Sequence, residues 1–286
     1  MTVSISTNSA KIPEVPARVP VFDVIRAAWS TDDVVQLGRR EGLVGPVADR
    51  GLWHLVDDGH SVLEVFQASQ SFRFGRRLEG NETAEASEKP LDQAQVREAA
   101  DAWVRRFAPK GPQYDLSSVD EQEVLVAERG VRAPRRLISG ARVNYTFSLG
   151  GQPLLGPGAK MQVTVSPAGE VLEAYRFWRD VSQSDEVVAI RPDEALARFA
   201  RSELFTDLND RNAKAGVTEI RFGHLALPPT EPQGFLIPVY QVRGVLSTKL
   251  HPHYAFVSYV AATTIDQATA KGRRQLARSR PRLVTA

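Results

Sequence analysis

Two histidines set two residues apart, His251 and His253, come nearest to a metal motif in this chain. On a strand such residues point to one face, and imidazole suits zinc, copper or nickel. Pro252 between them favours a turn, and a third ligand would have to come from elsewhere, with His224 the candidate. Neither a cysteine nor an HExxH pair accompanies them, so no metal and no other cofactor is expected. Serines are plentiful, yet none lies in G-x-S-x-G, and nothing singles out a nucleophile. The acidic pairs Asp57-Asp58 and Glu121/Glu123 read as turn chemistry and a solvated strand face.

The aromatic residues carry more. Tyr145 and Phe147 fall on one face of a strand, and Tyr175 and Phe177 on one face of another, with Trp178 opposite. One face must pack beneath a helix bearing Trp103 and Phe107. Trp178, flanked by Arg176 and Arg179, is then left to line a groove. The expected ligand-binding set is Trp178, Arg176, Tyr175 and Tyr145.

The elements that must position this set are clearest from Arg142 to Asp180. Tyr145, Phe147 and Leu149 alternate with polar residues, Gly150-Gly151-Gln152-Pro153 turns the chain, and Met161, Val163 and Val165 alternate again. Ser166-Pro167-Ala168-Gly169 makes a second turn, and Val171–Trp178 leave as a third strand, the signature of an antiparallel meander. Gly169 is expected to take positive φ, and Gly156 and Gly158 around Pro157 likewise. Before the meander, Val96, Ala99, Ala100, Trp103, Val104 and Phe107 form one helical stripe. Asp92 caps it, Gln95 completes a capping box, and Pro109 stops it.

Residues 1–20 read as an extended, poorly ordered lead-in. Residues 21–78 read as a small N-terminal section: a helix starting near Val21 with Phe22, Ile25 and Trp29 at helical spacing, then strands flanking Asp57-Asp58-Gly59-His60, a hairpin signal. Residues 79–91 form a polar linker, residues 92–180 a helix-and-meander unit, and Asp180–Glu186 a polar break. Residues 187–266 repeat the order, with a helix from Pro192 and strand-like segments at 217–227, 235–245 and 254–265. Asp92 then corresponds to Asp193 and Tyr145 to Tyr240, as in a tandem repeat. The fold class this predicts is α+β: two tandem helix-plus-antiparallel-meander units after a small helix-and-hairpin section.

Residues 267–286 form a basic tail. Its Lys271, Arg273, Arg274, Arg278, Arg280 and Arg282 exceed the whole chain's net charge of +2, leaving a body near −4. An acidic body and a tail without interleaved aromatics point away from sequence-specific nucleic acid. Charge alone would still draw the tail to an anionic surface. No apolar run approaches the roughly 20 residues that span a bilayer, and the first residues lack a signal-peptide pattern. The chain as given therefore reads as cytoplasmic.

The run from Tyr145 to Tyr175 resembles the PepSY-like (cystatin-like) modules of fungalysin/thermolysin propeptides and of bacterial extracytoplasmic proteins of the YcdB/YcdC type. Gly151-Gln152-Pro153, Gly158 and Ser166-Pro167-Ala168-Gly169-Glu170-Val171 occupy the places of that family's turns. The segments around Tyr240 and Tyr254 resemble a second, worn copy. The resemblance implies a domain that binds, inhibits or regulates, and an extracytoplasmic setting. The function expected is a non-enzymatic binding or regulatory protein holding a peptide, partner domain or small apolar ligand on a curved antiparallel sheet. The alternative is an enzyme with an apolar pocket between sheet and helix that promotes a cyclisation, isomerisation or hydrolysis.

Overall fold

A computed structural model describes residues 4–7, 10–25, 29–77, 86–127, 133–202, 213–249, 253–263 and 282–284. Three helices form among these residues. Helix α1 (Thr31–Arg40) starts on a capping box: the Ser30 hydroxyl accepts from the Asp33 N–H, and the Asp33 carboxylate accepts from the Ser30 N–H. Helix α2 (Gln93–Phe107) is capped by Asp92, whose carboxylate accepts from the N–H groups of Ala94 and Gln95. The Gln95 side chain lies towards Gly169 instead of completing a box. Helix α3 (Pro192–Phe199) begins with proline in its first turn.

The rest is a large mixed sheet, which overturns the expected α+β pair of tandem helix-plus-meander units. The meander is present as β8 (Arg135–Leu149), β10 (Lys160–Val165) and β11 (Val171–Phe177), but β11 is not its edge. Strand β6 (Phe72–Arg76) pairs with it, from Glu173 opposite Gly75 to Arg176 opposite Phe72. The sheet continues through β5 (Ser61–Phe66) and β4 (Trp53–Asp57) to β3 (Val47–Asp49). Hence the predicted N-terminal hairpin, β4–β5, belongs to the same sheet as the central meander. On its other side β8 pairs with β7 (Gln113–Val126).

Strand β9 (Gln152–Leu155) leaves the β8 hairpin and runs parallel to β13 (Lys214–Leu225), with Leu154 beside His224 and Leu155 beside Leu225. From β13 the sheet passes to β14 (Phe235–Ser247), which carries β15 (Tyr254–Ala261) along most of its length. Beyond the start of β14 come β2 (Arg18–Val24) and β12 (Val181–Val188). The helix expected near Val21 is thus a strand, and the polar break at Asp180–Glu186 is mostly an edge strand. Residues of the lead-in are built in too: β1 (Ser4–Ser6) runs parallel to β13, and Ala10 and Val15 pack on an apolar core that holds Phe199, Phe222 and Tyr240. These pairings join residues far apart in sequence, and local periodicity carries no trace of them.

The second unit is therefore no copy of the first. Helix α2 lies over β8, β10 and β11, whereas α3 lies over β15 in a sheet that includes the parallel strand β1. Ser87 bridges Ile138, so part of the expected linker also joins the sheet. Of the predicted basic tail, Arg282–Val284 form β16 against β15, and the remainder lies outside the described residues.

Along β9 and β13 the two larger apolar cores, a first around Phe72, Trp103 and Phe107 and a second around Phe199, Phe222 and Tyr240, lie on one face. Cross-strand partners share a face and successive residues alternate. Leu154, in the first core, stands beside His224, and two residues along β13 Phe222 enters the second core. Leu155 and Leu225 point the other way, with Ile237 and Val239. The helices α1, α2 and α3 thus cover one side of the sheet, and the opposite side of the β4–β8 region carries no helix among the described residues.

Two glycines make this geometry possible. Gly169 has φ of 87° in the β10–β11 turn, a conformation that L side chains rarely adopt. Gly158 is needed for space and not for φ: a Cβ there would stand 1.7 Å from the Leu227 carbonyl oxygen. The expectation of positive φ at Gly158 is corrected accordingly, while Gly156 does have φ of 93°.

Candidate functional site

Three of the four residues expected to bind a ligand are structural. The Tyr145 hydroxyl, under α2, donates to the Asp101 carboxylate at 2.6 Å, and burial followed by that bond pushes its pKa upwards. Arg176 turns to the helix side, donating from Nη1 to the Phe107 carbonyl at 3.1 Å and from Nη2 to that of Gln70 at 2.6 Å. Its guanidinium also stands 4.8 Å from the Phe72 ring, and burial holds its pKa down to about 10. It remains a cation at neutral pH, closing the C-terminal end of α2.

Trp178 lines no groove. It is 2% exposed, packs 5.3 Å from the Phe147 ring, and donates its indole N–H to Asp180 at 2.8 Å. Its neighbour Ser71 fixes the backbone there, bonding both the N–H and the carbonyl of Trp178. Alternation does place Trp178 opposite Tyr175 and Phe177, on the side of Arg176, but that side is the one packed under the helix.

Of the three histidine candidates, two are described. His251 lies outside the described residues, His253 is exposed, and His224 is fully buried with Nε2 2.7 Å from the Pro20 carbonyl. Among the described residues no group of three His, Cys, Asp or Glu is placed to hold a metal.

Tyr175 does reach the helix-free face, where it heads a site the sequence showed only in part. Its ring stacks on Phe177 with centroids 4.5 Å apart at 18°, and Phe66 meets Phe177 edge-on at 5.8 Å. Trp53 stands opposite Phe66 on β4, extending the aromatic row across the sheet. The Lys160 ammonium lies 5.2 Å from the Tyr175 ring and 5.9 Å from that of Phe177. Burial lowers the pKa of Lys160, which has no carboxylate partner among the described residues. Gln162, opposite Tyr175, accepts from its hydroxyl at 3.1 Å.

Ion pairs border this platform. Arg73 meets Glu173 and Arg76 meets Glu170, each at 2.7 Å. A shallow depression open to solvent, lined by Val62, Glu64, Arg73, Gly75, Arg76 and Arg77, adjoins them. The surface offers the half-buried rings of Tyr175 and Phe177 and the Lys160 ammonium, with Gln162 buried beside Tyr175, which suits holding a ligand. Phe66, Lys160 and Gln162 were missed by the sequence reading. The available signal was the polar set Lys160, Gln162 and Thr164 alternating with Met161, Val163 and Val165, which marks a strand with a polar second face, although Gln162 and Thr164 are themselves buried there.

Apolar side chains crowd the space between α2 and the sheet, where the alternative reading expects an apolar pocket. Trp103, Phe107, Phe72, Phe74 and Val163 are all buried there, with Trp103 and Phe107 rings 4.7 Å apart.

No family model matches the chain, and no curated protein matches it. Its structure is similar to a crystal structure of an uncharacterized protein from Eubacterium rectale, with a TM-score of 0.53 at 9% identity. The similarity spans 91% of this chain and 88% of the other. At that identity the likeness speaks for the fold alone, and it takes in the two cores together.

Proposed function

We propose that this chain is a non-enzymatic binding protein that holds an extended peptide, or a partner's segment, on the helix-free face of its sheet. The observation that carries the reading is the half-buried Tyr175–Phe177 stack with the Lys160 ammonium above it. Covering exposed ring surface is favourable by about 25 cal/mol per Å². A ligand carboxylate beside Lys160 would supply the charge that the protein does not. The preferred ligand is therefore an apolar or aromatic side chain adjacent to an acidic group. A catalytic pocket under α2 is not supported, since Trp103 and Phe107 occupy its position.

The test is selection of displayed peptides on the intact chain, followed by affinity measurement against the double variant Tyr175→Ser, Phe177→Ser. Selected peptides should be rich in acidic–aromatic pairs and lose at least tenfold in affinity for the variant, whose melting temperature should fall by several degrees while it stays folded. Peptides that bind the variant equally well, or a selection that yields none, would refute the reading.

A further inference from the structure

Strand β7 presents a separate surface that does not depend on the aromatic platform. It pairs with β8 from Gln113 opposite Ser148 to Val126 opposite Arg135, and its outer edge meets no strand among the described residues. In an antiparallel pair, backbone groups point alternately towards the neighbour and away from it. A 14-residue edge strand therefore displays a long row of free donors and acceptors, a template for one more strand.

The side chains of β7 decide what that strand can be. Asp115, Asp120, Glu121 and Glu123 are all exposed, and the strand has no lysine or arginine. Arg136 on β8 neutralises Glu123 at 2.7 Å. Asp120 accepts from Asn144 at 2.9 Å and Glu121 from the Leu91 N–H at 3.0 Å, so both are fixed as acceptors. Exposed apolar side chains, Tyr114 and Leu125, stand near the two ends. A second copy of β7 laid along this edge would add carboxylates to carboxylates with no cation between them, which is unfavourable across a strand pair. The same charges favour a Lys/Arg-rich strand.

We propose that the β7 edge accepts an extended, cationic peptide segment of a partner as an added strand, read through backbone hydrogen bonds and the carboxylates of Asp115, Asp120 and Glu121.

The experiment uses the full chain and two labelled synthetic peptides, one alternating Lys with Val and Thr and one with Glu in place of Lys. Fluorescence anisotropy should show binding of the cationic peptide only, weakening steeply with salt. Hydrogen exchange should slow at least tenfold at β7 amides in its presence. The variant Asp115→Lys, Glu121→Lys should lose at least tenfold in affinity, and Asp115→Asn, Glu121→Gln should lose less. The Tyr175→Ser, Phe177→Ser variant should bind the cationic peptide as the wild type does, which separates this site from the platform. Equal binding of both peptides, protection away from β7, unchanged affinity of the charge-reversed variant, or a dimer of the free chain protected at β7 would each overturn the proposal.

Discussion

The guanidinium of Arg179 donates from Nη1 to the carbonyl of Leu227 at 2.7 Å, joining the end of β11 to the segment that follows β13. Its Nη2 donates to the carbonyls of Pro228 and Glu231 at 2.6 and 2.7 Å. The Leu227 carbonyl is also the group that a side chain on Gly158 would strike. Three stretches of chain thus meet at one buried cation, whose pKa burial holds down to about 10. The junction adjoins the short β9–β13 pairing, where the Ala226 N–H donates to the Leu155 carbonyl.

Replacing Arg179 with leucine leaves three carbonyls without their donor, and stability should fall by about 3 kcal/mol or more. Arg179→Lys keeps a charge but not the planar fork, so it should fall between the two. Gly158→Ala should behave like Arg179→Leu, through steric conflict with the Leu227 carbonyl. Urea unfolding midpoints measure all three, and a midpoint for Arg179→Leu matching the wild type would show that the junction does not hold the halves together.

Phe177 and Trp178 are adjacent but should respond in opposite ways. Trp178→Ala removes a ring packed against Phe147 and should cost about 3–5 kcal/mol. Phe177→Ala removes a ring from the helix-free face and should cost about 1 kcal/mol, since only part of its surface is buried. Peptide affinity should follow the reverse order, falling for Phe177→Ala and holding for any Trp178 variant that folds. Thermal unfolding beside a binding isotherm for each variant makes the comparison, and equal stability losses would remove the distinction between core and platform.

His224 should make stability depend on pH. Its Nε2–H donates to the Pro20 carbonyl, while Nδ1 lies in the core without a donor, so the buried ring is neutral. Burial lowers its pKa below the ordinary 6.5. Between the folded and unfolded values the unfolded chain binds more protons, so stability rises with pH across that window. The contribution is complete above the unfolded pKa and is lost as pH falls towards the folded one. Denaturation midpoints from pH 8 to pH 5 should decline more steeply for the wild type than for His224→Gln. Parallel profiles would mean that His224 does not titrate on unfolding.

Where structure is local, the sequence announced it. The β4–β5 hairpin sits on Asp57-Asp58-Gly59, with Gly59 accommodated at φ of 91°, and Asp92 caps α2 as its spacing indicates. Strand β2 was misread because Phe22, Ile25 and Trp29 happen to fall at helical spacing. What makes it a strand is Phe22 opposite Gln183 and Leu236, partners no local pattern could supply. Polar β12 was read as a break since an edge strand with exposed side chains has no apolar face to advertise. The platform was half legible for a related reason. Tyr175 and Phe177 share a face by alternation, but Phe66 joins them only through the pairing of β6 with β11.

The position of β2 between β12 and β14 also governs how the chain can be made. Synthesis releases Arg18–Val24 first, yet their neighbours Val181–Val188 and Phe235–Leu236 emerge much later. A growing polypeptide holding fewer than 235 residues has no seat for both edges of that segment, and the buried rings of Phe22 and its neighbours stay wet meanwhile. Assembly dominated by such distant partners is slow and prone to aggregation, so production in cells should improve with added holding chaperones.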